Sequence, residues 1–271
     1  MALSEAEEKQ TARLNNEFRD AQSPILQAIT NQVCDCCYIG NSWTTRSEAD
    51  VMIKRLRLMA SHNLLDIGAG AGWPGLYLAR QTGCAVTLLD LPETGLRLAE
   101  ARAKADGMTS QLSAVQGDAT DMPFPSASFT AISHSDVLCC LQDKPAVLRE
   151  CRRVINADGR MCFTVIRLAD GLQQSAMNQA LQAGPEFIRS KTDYRSMLQS
   201  AGWEITQQDD ITDEFLASIK RMIVAEEEQH ESLRVLRGDD DNEIARANWQ
   251  SRRQAVTDRL IFREFFSAVP A

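Results

Sequence analysis

The stretch Asp66-Ile-Gly-Ala-Gly-Ala-Gly-Trp-Pro-Gly75 constrains this chain more than any other feature. It closes an apolar run, Leu64-Leu65-Asp66-Ile67, and precedes residues 76–81, which read as a helix. A strand, a glycine turn and a helix in that order make a ligand-binding corner of a parallel sheet. Glycine turns sharply and, lacking Cβ, lets a ligand touch the backbone. Pro74 suits the first turn of a helix, where its missing N–H costs nothing. The helix start then offers free N–H groups to a ligand.

The rest of the chain alternates around this corner. Strands are expected at 85–89, 112–116, 129–133 and 161–166, and helices at 94–106 and 144–155. That spacing predicts an α/β, Rossmann-like fold: a seven-stranded, mostly parallel sheet with helices on both faces. Ahead of it, residues 3–20 read as a helix that a break at Pro24 separates from the next segment. Ser47-Glu-Ala-Asp50 has capping-box spacing and opens a helix with Val51, Ile53, Leu56 and Met59 on one stripe. Residues 1–60 form an N-terminal helical cap segment and 61–271 the main domain. Beyond residue 170 a helix at 190–201 ends at Gly202, and a strand follows at 203–208. A long charged helix at 212–237, a break at Gly238-Asp-Asp-Asp241 and a helix at 243–259 form an insertion before a last strand at 261–269. Met222, Ile223, Leu233 and Leu236 make an apolar wall for substrate or pack against the sheet.

Alone, the loop is ambiguous. Gly70-x-Gly72-x-x-Gly75 also fits the dinucleotide fingerprint, with Asp90 where a ribose-binding acid belongs. An NAD-linked oxidoreductase is the competing reading. Two features weigh against it: Asp66 would repel a pyrophosphate, and Gly117-Asp118-Ala119-Thr-Asp-Met-Pro-Phe-Pro125 follows the third strand.

With these motifs and Ser126-Ala-Ser-Phe129, Arg149-Glu150-x-x-Arg153-Val-Ile-x-x-Asp158-Gly159-Arg160 and Arg263-Glu-Phe-Phe266, the chain resembles the class I S-adenosylmethionine-dependent methyltransferases, in particular the small-molecule, type 11-like group of ubiquinone biosynthesis. The resemblance covers roughly residues 45–170. It implies S-adenosyl-L-methionine as cofactor and in-line methyl transfer to O, N, S or C of a small molecule. It implies that Gly68, Gly70 and Gly72 line the methionine and ribose, that Asp66 holds the amino group directly or through water, and that Asp90 takes the ribose hydroxyls. Leu91 would pack on the adenine, Asp118 would take its amine beside Ala119, and Ser133 would face the sulfonium. The bland alternative for Asp90 and Asp118 is helix capping. Cys139-Cys140 depart from the group, where many relatives carry His.

His134 and Asp136, just past the fourth strand, are the candidate catalytic residues; a capping histidine and a helix N-cap are their alternatives. Trp43 and Arg46 are candidate substrate contacts, against an aromatic anchor and a surface charge. His230, within the charged helix, reads as solvated.

Composition supplies exclusions. The formal charge of −8 disfavours a nucleic-acid partner, and there is no apolar run long enough for a membrane span. The acidic N-terminus is no signal peptide, so a cytoplasmic location is expected, with a small-molecule substrate and a homodimer as an option. Eight cysteines are then expected to be reduced. No metal site is expected, since Cys34-x-Cys36-Cys37 lacks a second ligand pair. A thiol or metalloid acceptor stays open if Cys37, Cys139 and Cys162 converge.

Overall fold

The computed structural model describes residues 4–36, 38 and 41–271. Its centre is β1 (Asn63–Ile67), paired in parallel with β2 (Ala85–Asp90) and β4 (Phe129–Ser135). With β3 (Leu112–Gln116), β5 (Ile155–Leu168), β6 (Trp203–Asp210) and β7 (Ile261–Pro270), the sheet has the order β3-β2-β1-β4-β5-β7-β6. β7 runs antiparallel to β5 and β6, completing the expected seven-stranded, mostly parallel sheet. Both faces are covered. Leu64 points into one core with Val86, Leu88 and Phe265, whereas Leu65 and Ile67 point into the other with Ile132, Phe163 and Phe266. The two-residue alternation of a strand thus divides the apolar side chains between two helical layers.

Helices α1 (Glu5–Asp20), α2 (Pro24–Cys34) and α3 (Arg46–Leu56) precede the sheet. The cap of α3 is Thr45, with Glu48 three residues on, two positions earlier than the Ser47 and Asp50 pair suggests. Glu is the better fit because it reaches back to the Thr45 N–H, at 2.8 Å. Between strands lie α4 (Gly75–Thr82), α5 (Glu93–Ala105), a short 3-10 turn at Leu138–Cys140, α6 (Lys144–Val154), α7 (Gln174–Ala183) and α8 (Tyr194–Ser200). The sequence gives little sign of α7, a polar helix that buries only Ala180 and Ala183.

The insertion differs in its breaks. Residues 212–237 form two helices, α9 (Thr212–Glu228) and α10 (His230–Arg237). Three glutamates, Glu226 to Glu228, crowd the carboxyl end of α9, where negative charge opposes the helix dipole. The three aspartates after Gly238 are not a break but the first turn of α11 (Asp239–Thr257), where the same dipole favours them. Ile29, Val33, Ala225 and Leu233 build a small core joining α2 to the insertion, with Met222 against it. Leu236 is exposed, so it belongs to no wall. His230 is half-buried, its Nδ1 3.3 Å from Asn242 Nδ2, rather than fully solvated.

The sulfurs of Cys34 and Cys36 lie in contact with each other, and the other described cysteines, Cys84, Cys139, Cys140, Cys151 and Cys162, are free. Cys139 and Cys162 lie in separate cores, and Cys37 lies outside the described residues. Among the described residues no three His, Cys, Asp or Glu side chains converge as a metal site. Among them, too, no helix is long and apolar enough to cross a membrane.

Candidate active site

After β1 the chain turns through Gly68, Gly70 and Gly72, at φ of 62°, 51° and 97°. A Cβ on Gly68 would stand 2.4 Å from Val137 Cγ2, and one on Gly70 2.9 Å from Phe18 Cζ. Gly68 and Gly70 floor a cavity of about 210 Å³ at the carboxyl ends of β1, β2 and β4. This is the crevice where strand order reverses and where open α/β sheets bind ligands. Gly72 is not on the cavity; a Cβ there would meet Leu76 at 2.5 Å, so its smallness serves packing.

Asp90 ends β2 on the cavity wall, with Leu91 beside it. Its Oδ2 accepts from Gly70 N–H at 2.7 Å and its Oδ1 from Leu91 N–H at 2.8 Å. Burial pushes the carboxyl up to about 6, while the two N–H groups pull it back. Each oxygen keeps a further lone pair for a hydroxyl donor. A bare glycine floor, an oriented acceptor pair and an apolar neighbour fit a nucleoside with a vicinal diol.

Asp66 does something else. It is 1% exposed and off the cavity. Its Oδ1 accepts from Ser133 Oγ at 2.6 Å and its Oδ2 from Gly75 N–H at 3.0 Å. Burial pushes this carboxyl up to about 7, with both hydrogen bonds opposing the shift. The pair Asp66 and Ser133 therefore ties the start of α4 to β1 and β4 beneath the loop, rather than meeting a ligand directly. Asp118 is half-buried; its Oδ1 accepts from Thr120 N–H at 2.8 Å, a local turn rather than a helix cap. Ala119 is buried against the core, and neither residue lines the cavity.

The two candidate catalytic residues part company. His134 is fully buried, stacked on Phe163 with ring centroids 4.4 Å apart, and neither ring nitrogen has a hydrogen-bond partner. Burial drives its pKa down to about 3. Its side chain points into the core because it alternates with Ser133 and Ser135, so it is neither a base at the cavity nor a cap. Asp136 does line the cavity, with a left-handed φ of 56°. It is not a helix N-cap: its oxygens accept from Arg263 Nε at 3.0 and 3.1 Å. Arg263, 1% exposed, also donates to Glu48 Oε1 at 2.8 Å and to Thr164 Oγ1 at 3.2 Å. A buried cation, shared with Glu48, thus pairs with Asp136 from below.

Trp43 lines the cavity and packs edge-on to Phe215 at 5.0 Å and to Trp249 at 5.6 Å. Arg46 does not reach it; Arg46 Nε pairs with Asp35 Oδ2 at 3.1 Å, the surface-charge alternative. Cys140 is on the wall and Cys139 in the core. A further wall comes from α1. Phe18, 4% exposed, lies over Gly70 and Gly95, and Asn15 Oδ1 accepts from Thr94 N–H at 3.0 Å. Phe18 is the one aromatic residue in a mostly polar helix, the signal that marks it as buried. Likewise an arginine inside the apolar run 261–269 signals a buried partner, which turned out to be two carboxylates. Another cavity, about 540 Å³, opens beside Arg167 and Tyr194 and contains none of the loop residues.

Comparison with known proteins places this geometry. The methyltransferase domain family matches residues 65–163, which include the glycine loop, β2 and β4. Methyltransferase GfsG of Streptomyces halstedii is 26% identical over 60% of this chain and 60% of its own. The 27-O-demethylrifamycin SV methyltransferase of Amycolatopsis mediterranei is 28% identical over 71% of this chain and 74% of its own. The chain thus spans under two thirds of the length of the first of these. Among solved structures, phosphoethanolamine N-methyltransferase 2 of Haemonchus contortus, in complex with phosphomonomethylethanolamine and S-adenosylhomocysteine, superposes with a TM-score of 0.77. That match has 16% identity, over 94% of this chain and 60% of the other. At that identity it is the fold that is shared.

Proposed function

We propose that this chain, whose central domain belongs to the class I S-adenosylmethionine-dependent methyltransferases, transfers a methyl group to a nucleophilic atom of a small molecule. The observation that carries this reading is Asp90, held by Gly70 and Leu91 N–H groups at the rim of a glycine-floored cavity. When bound, S-adenosylmethionine supplies a methyl group already activated on a sulfonium. The protein's task is then alignment, which contributes up to about 7–11 kcal/mol in favourable cases. Gly68 and Gly70 admit the cofactor's backbone-facing side, Asp90 takes its hydroxyls and Leu91 packs on its base. Asp118 and Ala119 lie off the cavity, and the adenine amine is assigned to Asp118 by the family resemblance alone, one of its oxygens being committed to Thr120. Asp66 and Ser133 act at one remove, by fixing the loop and the start of α4.

None of the chain's three histidines lines the cavity, and its Asp136 is paired with Arg263. These features favour an acceptor that is nucleophilic without a protein base. Trp43 walls the acceptor side. The charge of −8 supports a small-molecule acceptor over a nucleic acid.

The test is incubation with methyl-labelled S-adenosylmethionine and panels of thiols, phenols, amines and carboxylic acids. The reading expects label in a small-molecule product, matched by an equal amount of S-adenosylhomocysteine. Label in nucleic acid or protein instead, or cofactor turnover with no labelled small molecule, contradicts it.

A further inference from the structure

We infer that the methyl acceptor carries an oxyanion, carboxylate or phosphate, seated on Arg252 in a second cavity that adjoins the glycine-loop cavity at Trp43. The inference rests on the methyltransferase reading and names the class of its acceptor.

This second cavity, about 460 Å³, lies between α1, α2 and the α9–α11 insertion. Its size is within the roughly 300–1,000 Å³ of small-molecule sites. It shares Asn41, Ser42 and Trp43 with the glycine-loop cavity, so a ligand seated here has a short path to the cofactor's methyl. Two aromatic rings, Trp43 and Trp249, form part of its wall.

The charges on the wall decide the ligand. Arg13 pairs with Glu17, and Arg237 Nη2 with Glu226 Oε1 at 2.9 Å. Asp20 is exposed to solvent. Arg252 is different. Its guanidinium sits 5.2 Å from the Trp249 ring centroid and 5.8 Å from that of Trp43, and Nε donates to Ala183 O at 3.0 Å. Among the described residues it forms no carboxylate pair, and burial lowers its pKa. A largely desolvated cation that feels Glu17 only at a distance and has no carboxylate in contact is costly, and an oxyanion on its two Nη groups would reduce that cost with bidentate geometry. A second observation also points to a polar ligand: Glu226 Oε2 and Arg237 Nη1 are buried in the same wall without partners. The acceptor is therefore a molecule with an oxyanion at one end, an apolar or aromatic middle resting on the tryptophans, and its nucleophilic atom directed past Trp43.

Calorimetric titration of the S-adenosylhomocysteine-loaded protein with phenylacetate, phenyl phosphate and neutral 2-phenylethanol tests this. At least one anion is expected to bind about tenfold tighter than the alcohol, as a charge-assisted bidentate pair implies. Which anion binds better distinguishes a carboxylate site from a phosphate site. Arg252→Gln is expected to erase the preference and Arg252→Lys to keep part of it, while S-adenosylhomocysteine affinity stays within about twofold in both. Equal binding of alcohol and anions by the unmutated protein, no measurable binding of either anion, or a preference that survives Arg252→Gln overturns the inference. The comparison within the unmutated protein stands even if a variant fails to fold. Failure of the underlying reading is distinct: the unmutated protein would then not bind S-adenosylhomocysteine at all.

Discussion

Asp90 must be ionised to accept two hydroxyls, yet burial raises its carboxyl to about 6. A ligand that donates to the carboxylate favours its charged form and lowers that pKa. The complex therefore binds fewer protons than the free protein, so affinity is flat above about pH 6 and weakens as pH falls through it. Calorimetry of S-adenosylhomocysteine across pH should show this slope, and Asp90→Asn should abolish it. A slope that survives in Asp90→Asn would assign the titration elsewhere. His134 makes the opposite case. Its two buried nitrogens have no partners, so each is a desolvation cost. His134→Phe keeps the stack on Phe163 and removes both polar atoms. It should retain methyl transfer and gain about 1–3 kcal/mol of stability at neutral pH, read by denaturant unfolding. Loss of transfer in a folded His134→Phe protein would restore His134 as a catalytic residue.

At the scale of elements, two contacts hold the site together. The first is Arg263 on β7, which gathers Asp136 after β4, Thr164 on β5 and Glu48 on α3. Removing one member of such a cluster leaves buried charge uncompensated. Arg263→Met should cost about 3–5 kcal/mol, measured by urea unfolding. A cost below about 1 kcal/mol would mean that the two carboxylates find water or protons instead. The second is α1, which lies over the loop through Phe18. The cavity beneath it is about 210 Å³, at the low end for a ligand site, and Phe18 stands over Gly70 on its wall, so α1 is placed to restrict cofactor entry. Phe18→Ala should speed both binding and release of S-adenosylhomocysteine in stopped-flow measurements. Unchanged rates would show that α1 does not restrict entry.

Across the whole molecule, what could be read from sequence was what local chemistry dictates. Glycines with positive φ, an acid closing β2 and the strand and helix alternation each announce themselves within a few residues. The seven-stranded sheet followed from them. What could not be read depends on side chains meeting across long separations. Asp66 suits a cation because a carboxylate precedes the glycines, and the sequence left open whether it acts directly or through water; Ser133, 67 residues on, draws it under the loop, off the cavity wall. His134 looked like a base because of its position, and one step of strand alternation turned it into the core. Arg252 and Trp249 carried no local signal, since their meaning comes from α11 packing beside α7 and Trp43. The central claim is that a nucleoside sulfonium binds on the loop with Asp90 as its hydroxyl acceptor. The most direct measurement is calorimetric titration of S-adenosylhomocysteine and of NAD into the unmutated protein and Asp90→Ala. The account predicts binding of S-adenosylhomocysteine alone, weakened about ten- to a hundredfold in Asp90→Ala, as hydrogen bonds to a charged group imply. Binding of NAD in its place, or undiminished affinity in Asp90→Ala, would contradict it.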